Sequence, residues 1–401
     1  MAEGDRAMQQ VLSGVRVLDF GRYIAGPFCA ALLADMGAEV IRIERRDGGE
    51  DRWVAPVGLD GTGAMFLAMN RNKLGMTLDP AAPEGREIVK KLVGTADVVV
   101  ANLPPEVLRR LSLDLDSLRQ VKPDIILTTV TAYGPGGPWS HKHGFDGIGQ
   151  VMSGGVYLAG TPEQPVKAYV PWVDMGTASL CAFGTMAALM ARQQTGAGQR
   201  VEGALLQTAV AYANALLIEQ AVAEVDRVAT VNRGQNSAPA DIFPTKDGWI
   251  ICQVIGNPMY RRWAGLMGEP EWLADPRFAD DQARGDNAGL ISTRMARWCA
   301  GRTSEQALAE LEKANIPSGP LLAPQETIQH PHIRQAGLLA DSAFPGLPRP
   351  APIAPTPVRL SETPGQFRHR APTLGEHTDS ILTSLGYSRR EIDSLRQKGV
   401  I

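Results

Sequence analysis

The sequence predicts an α/β protein, a parallel sheet with helices on both faces followed by a smaller second domain. Three observations predict it. The first 135 residues alternate short β-branched runs with helical stretches, and βα units in series build parallel sheets. The chain has 401 residues, 44% hydrophobic and 21% charged, enough for a large core and, at about 150 residues per domain, for two or three domains. Finally, a polar, Gly/Pro-rich break over residues 232–244 marks a domain boundary.

Residues 15–20 (VRVLDF) form the first predicted strand, followed by a Gly/Pro turn. Residues 28–36 have helical character and stop at Gly37. Residues 40–43 read as a strand, 84–93 as a helix, 97–100 as a strand, 106–120 as a helix and 125–130 as a fourth strand. Residues 134–160 are dense in glycine and predict extended loop. Two long apolar helices are expected over 175–194 and 204–222. After the break, 249–254 reads as a strand beyond the Lys246-Asp247-Gly248 turn, and charged, Trp-containing helices run to about residue 314. Prolines recur over 344–357 (FPGLPRPAPIAPTP), where no helix can form. Residues 376–401 close the chain as a charged helical tail.

Forty basic against 43 acidic side chains leave a net charge of −3, which disfavours a nucleic-acid binder. Cys29, Cys181, Cys252 and Cys299 lie far apart with no CxxC pair, which fits a reducing compartment and argues against disulfides or structural zinc. The start, Met-Ala-Glu-Gly-Asp-Arg, is acidic where a secretion signal is basic and then apolar. The best candidate for a membrane span, the uncharged run 175–191, falls short of the roughly 20 residues required. The expectation is a cytoplasmic protein with no membrane or nucleic-acid partner.

In a doubly wound sheet, ligands sit outside the carboxyl ends of the strands. Those ends carry Gly21 to Pro27, Glu44-Arg45-Arg46, Asn102 to Pro105, and Tyr133 to Pro138. Glycine loops beside arginines suit a phosphorylated ligand, although by residue identity alone Arg45 and Arg46 fit a solvated surface better. GxGxxG, GxxxxGK[ST] and GxSxG are absent. His141 and His143 lack a third metal ligand, so no metal site is expected. Asp174 stands out, between a short strand and a long apolar helix. There the helix dipole favours its charged form, and an ionised, poorly solvated carboxylate is a nucleophile. As a bare residue it fits a helix N-cap better than a nucleophile.

In order and spacing, several motifs resemble one family. They are Gly14 to Phe20 leading to Ala25-Gly26-Pro27, Leu33 to Ile41 with Ile43-Glu44, Asn70-Arg71-Asn72-Lys73, Ala96 to Val100 with Asn102, and Gly144-Phe145-Asp146 with Gln150 and Ser153-Gly154-Gly155. Asp174 follows, then Thr195 to Val201, Asn315 to Pro320 and Ala371 to Thr378. The chain resembles the class III coenzyme A transferases of the CaiB/BaiF type, which include formyl-CoA:oxalate and carnitine CoA-transferases. The resemblance implies a Rossmann-like large domain (residues 1–225), a small α+β domain (226–330), and an extended return segment with the C-terminal part of the large domain (331–401). It implies an interlocked homodimer.

The family's nucleophilic aspartate aligns with Asp174. Coenzyme A enters as a substrate, with no tightly bound cofactor. The resemblance puts Arg45 and Arg110 near the nucleotide phosphates, Leu78 and Leu103 beside the adenine, and Asn102 at the same strand end. Ile24 and Ala25 would pass the thioester arm, with His143, Phe145 and Asp146 also at the CoA site. Glycine-rich loops would close over it. Formyl-CoA transferases have a glutamine where Ile24 stands and a glycine run where Val254-Ile255-Gly256-Asn257 stands. That points away from formyl-CoA and oxalate. The resemblance implies succinyl-CoA as donor, since many relatives use it, and a small carboxylic acid as acceptor, with Arg22, His143 and Arg71 for a second carboxylate. The alternative is α-methylacyl-CoA racemase, whose Gly-His-Asp segment is here Gly144-Phe145-Asp146, with no histidine base.

Overall fold

The structure, a computed structural model, describes residues 10–58 and 62–401. The first half runs β1 (Arg16–Asp19), α1 (Ala25–Asp35), β2 (Glu39–Glu44), α2 (Ala64–Met69), β3 (Lys73–Thr77), α3 (Pro83–Thr95), β4 (Val98–Ala101), α4 (Pro105–Arg110), α5 (Leu115–Val121) and β5 (Ile126–Thr131). It continues with α6 (Asp146–Met152), α7 (Gly155–Leu158), α8 (Trp172–Thr195), β6 (Arg200–Ala204), α9 (Leu205–Tyr212) and α10 (Asn214–Ala223). The six strands form one parallel sheet in the order β3-β2-β1-β4-β5-β6. That order reverses direction between β1 and β4, where a doubly wound sheet opens its ligand crevice.

Both sheet faces are covered. On one, Ile88 and Leu92 of α3, Leu118 of α5 and the C-terminal Ile381, Leu382 and Ile392 pack on Leu18, Val99 and Leu127. On the other, Cys29 and Leu33 of α1 and Cys181, Ala188 and Leu189 of α8 pack on Val17, Val98 and Ile126. Alternate residues of one strand thus serve opposite cores, which explains the continuous apolar runs read from the sequence.

Contacts divide the chain into a larger unit, made of residues up to Ser153, Ala168–Ile218 and Pro331–Ile401, and a smaller one, made of Gly154–Lys167 and Glu219–His330. The smaller unit thus takes a stretch from inside the predicted 1–225 segment. It holds a three-stranded antiparallel sheet of β7 (Ala240–Pro244), β8 (Trp249–Gln253) and β9 (Ser318–Pro320). Around its core of Phe243, Tyr260, Trp263, Ile291, Met295 and Leu311 lie α11 (Asn257–Met267), α12 (Asp281–Asp286), α13 (Ala288–Ala300) and α14 (Ser304–Lys313). Beyond α15 (Pro324–Gln329) and α16 (Pro331–Gln335), β10 (Ala340–Ser342) pairs antiparallel with β11 (Ala351–Ile353), which lies in the proline segment. The chain ends in α17 (Thr378–Ser384) and α18 (Arg389–Gln397).

The structure corrects several sequence expectations. The glycine-dense stretch 134–160, expected as loop, contains α6 and α7. The helix expected over 106–120 breaks at Ser112, which has φ +55°, and restarts where Asp114 caps the Ser117 N–H. The one expected over 204–222 is divided at Ala213 into α9 and α10. At 24 residues, α8 exceeds the short run expected and is by length and composition long and apolar enough to cross a membrane. Its Val173, Ala178, Cys181 and Ala182 are buried in the core of the larger unit. All four cysteines are free and buried.

Candidate active site

The turn after β1 is fixed from beneath by buried charge. Asp19, at the end of β1, accepts from the Gly21 N–H (2.8 Å) and from Lys73 Nζ (2.7 Å). Lys73 also donates to Pro27 O (2.7 Å) and Asn70 Oδ1 (2.9 Å), while Arg42 donates to Gly21 O (3.1 Å). From above, the Asn102 side chain, just past β4, accepts from the Arg22 N–H (2.7 Å) and donates to Arg22 O (2.8 Å). Tyr23 sits in this turn at φ +60°, a conformation that costs a non-glycine residue energy and survives only where its surroundings impose it.

A cavity of about 240 Å³ opens over this turn. Its walls are Arg22 to Ala25, Asn102 to Glu106, Val130 to Ala132 at the end of β5, the segment Ser140 to Phe145, Leu205, and Asp174. The crevice at the sheet's switch point and the candidate nucleophile therefore coincide. Phe145 leans edge-on against Tyr23, ring centres 5.7 Å apart, and is otherwise well exposed.

Asp174 is the third residue of α8, not its N-cap; Pro171 holds that position and offers no side-chain cap. The capping acceptor comes from α6 instead: Asp146 Oδ1 accepts from the N–H groups of Val173 (2.8 Å) and Asp174 (3.1 Å). The Asp174 carboxylate itself accepts no hydrogen bond among the described residues. The sequence expectation that the helix start favours its charged form meets an opposing effect. Burial, and secondarily the negative charge of Asp146, push the Asp174 carboxyl up to about 7.

The other expected residues distribute as follows. Ile24, Ala25, Asn102, Leu103, His143 and Phe145 share the cavity with Asp174. A second, smaller hollow of about 70 Å³ is lined by Arg45, Leu78, Leu103, Arg22, Arg42 and Pro80; it shares Arg22 and Leu103 with the first. Arg45 is anchored to Gly48 O (3.2 Å) and Glu50 (3.2 Å). Arg110 is exposed on α4 and lines neither hollow. Asp146 is buried behind the cavity wall rather than in it. Arg71, expected to meet a second carboxylate, is buried and grips Asp35 through Nε and Nη2 (3.0 and 2.7 Å), so it does not reach the site.

Glu106, Thr131, Ala132, Ser140 and Leu205 line the cavity without having been singled out. Reading the last residue of β5 and the one after it more closely would have found Thr131 and Ala132. Leu205 follows β6, a strand the sequence pattern did not show.

Residues 12–378 match the family model described as CoA-transferase family III. The chain belongs to that family. It is 33% identical to a succinyl-CoA–D-citramalate CoA-transferase of Chloroflexus aurantiacus, over 97% of this chain and 98% of that one. It is also 33% identical to a succinate–glutarate CoA-transferase of Agrobacterium fabrum, over 93% and 95%. Among solved structures, a CaiB/BaiF family protein from Brucella suis superposes with a TM-score of 0.80 at 30% identity, covering 94% of this chain and all of that one. The protein is thus a family III CoA-transferase, an enzyme whose substrates are CoA thioesters and carboxylates, and the parallel six-stranded sheet belongs to the CaiB/BaiF fold.

Proposed function

We propose that this CoA-transferase moves coenzyme A from succinyl-CoA to a second small carboxylic acid, with Asp174 as covalent carrier. One observation carries the reading: at the switch-point cavity stands a half-buried carboxylate with no hydrogen-bond partner among the described residues, raised to about 7. An Asp carboxylate oxygen attacks the thioester carbonyl, the C–S bond breaks, and the thiolate leaves with the electron pair, giving an aspartyl–acyl anhydride. The thiolate then attacks the aspartyl carbonyl and releases the donor acid as carboxylate. The acceptor acid runs the same two steps in reverse. Splitting the exchange this way avoids direct displacement between two anions, and water must stay out because both intermediates hydrolyse.

The start of α1, at Ile24 and Ala25, has no side-chain cap and borders the cavity; its free N–H groups suit a developing oxyanion. The second hollow, with Arg45, Leu78 and Leu103, suits the nucleotide end of coenzyme A, Asn102 holds the turn between the two hollows, and Arg110 meets phosphate from the exposed face of α4. Arg22 and His143 at the cavity suit the far carboxylate of a dicarboxylic acid, as the succinyl-CoA enzymes named above would use. A second copy of the chain completes the enzyme as an interlocked homodimer: α8 leaves Leu180, Phe183 and Met190 exposed, an apolar surface a lone chain would not leave bare.

The test is an exchange assay with succinyl-CoA and a panel of carboxylic acids, new thioesters being read by mass. Hydroxylamine added during turnover is expected to convert Asp174 to its hydroxamate. Turnover without modification of Asp174 would defeat the covalent route. Deuterium entering the α-carbon of 2-methylacyl-CoA without CoA exchange would favour the racemase reaction. Sedimentation showing a lone chain would remove the dimer.

A further inference from the structure

Between the cavity and the core lies a clamp that the transfer chemistry above does not use. Asp146 is buried, and both its oxygens are engaged. Oδ1 takes the N–H groups of Val173 and Asp174 at 2.8 and 3.1 Å, and Oδ2 takes Nε2 of Gln150, one turn on along α6. Gln150, only 1% exposed, turns its own Oε1 to the Ala168 N–H at 2.9 Å. Two side chains of α6 therefore hold both ends of the strap 168–174 that delivers Asp174 to the cavity. The helix behind them packs closely: a Cβ on Gly149 would lie 2.7 Å from Val173 Cγ1 and 3.3 Å from Ala209 Cβ.

We infer that Asp146 is a positioning residue for Asp174, taking the N–H groups at the start of α8 so that the neighbouring carboxylate is left free toward the cavity, and holding a fixed negative charge behind it. This rests on the reading of Asp174 as nucleophile. The N–H groups of a helix's first turn ordinarily find a side-chain acceptor. With Asp146 occupying them, Asp174 has no reason to fold back onto its own helix. The charge acts as well. Two carboxylates in proximity repel, which makes the Asp174 oxygen more basic. When that oxygen forms the anhydride it gives up its negative charge, and the repulsion is relieved. The interaction is thus less unfavourable in the covalent intermediate than in the free enzyme, which is the difference that speeds a step.

The experiment compares Asp146→Asn, Asp146→Glu and Asp174→Ala in the succinyl-CoA exchange assay, with single-turnover hydroxylamine trapping. Asp146→Asn is expected to lower kcat and the acylation rate by about 10- to 100-fold, as misplacement of a reacting group does. KM for succinyl-CoA should change little. The acidic limb of the kcat profile should move down by about one pH unit as the like charge is lost. Asp146→Glu restores the charge and is expected to return the limb toward its original pH. Should Asp146→Asn not fold, Asp146→Ser carries the test, since it asks nothing of Gln150. Unchanged kcat and an unmoved limb in the uncharged variant would overturn the role. So would a kcat loss in which the Asp146→Glu limb stays with that of the uncharged variant. If instead Asp174→Ala keeps exchange activity, the nucleophile reading itself has failed, and the two failures are told apart.

Discussion

Asp146 Oδ1 lies 3.1 Å from the Asp174 backbone nitrogen, so one aspartate caps the helix that carries the other. The acidic side chain that caps α8 therefore comes from α6, and the residue within α8 keeps a carboxylate that accepts no hydrogen bond among the described residues. Because burial raises that carboxyl to about 7, the exchange rate is expected to rise with pH through about 7 and then level. A kcat profile between pH 5 and 9 checks it; a rate already at its plateau at pH 5 would show an ordinary, solvated aspartate.

The same shift makes Asp174 a cost to folding. Its carboxyl titrates near the ordinary carboxylate value when unfolded and at about 7 when folded. Between roughly pH 4 and 7 the folded chain therefore holds the extra proton, and this site's contribution falls as pH rises through that window. Asp174→Asn removes the term. Above pH 8 it should abolish transfer yet stabilise the fold by about 1–3 kcal/mol, seen as a higher midpoint in denaturant, with the gain vanishing near pH 4.

Asn102 is the latch of the turn after β1. Its side chain accepts from the Arg22 N–H and donates to Arg22 O, at 2.7 and 2.8 Å, and no other residue type returns both bonds at that length. A Cβ on Gly26 would stand 3.0 Å from Asn102 Oδ1 and 3.0 Å from Gly21 Cα, so the packing around the latch is already close. Asn102→Ala leaves two backbone groups to find water, at about 1–3 kcal/mol. The expected result is a KM for the acyl-CoA raised about tenfold or more with a smaller change in kcat. An unchanged KM would mean that the turn holds itself.

The strand ends were legible because β1, β4 and β5 are short β-branched runs bounded by turn residues. Two strands of the parallel sheet were not, and in both a glycine is the reason. In β3 (KLGMT), a Cβ on Gly75 would fall 2.8 Å from Pro372 Cβ, and in β6 (RVEGA) one on Gly203 would fall 2.3 Å from Cys181 Sγ. Close packing demanded a residue that erases the strand signal. The same trade hid α6, where Gly149 lets the helix approach Val173. Asp174 was visible as an isolated carboxylate before an apolar helix, but its freedom from capping duty was not, since Asp146 lies 28 residues away in sequence. Arg71 misled for a related reason: its motif is intact, yet its task is to grip Asp35 beside Asn72, which in turn holds the backbone of Arg368 and His369.

Lys73 offers the sharpest separation of structure from chemistry. It is fully buried, and burial lowers its ammonium to about 8 even though Asp19 stands 2.7 Å away. It touches neither hollow, but its bonds to Asp19 and Pro27 O tie β3 to the turn that carries Arg22 through Ala25. Lys73→Met fills the space and strands Asp19 beside Arg42, whose Nη1 is 3.7 Å distant. Breaking one partner of a buried pair costs about 3–5 kcal/mol, so this variant should unfold at markedly lower urea. Asp19→Asn/Lys73→Met, which removes both charges, should recover much of that loss by the same reasoning. Equal instability of the single and double variants would show that shape, not charge balance, holds the turn in place.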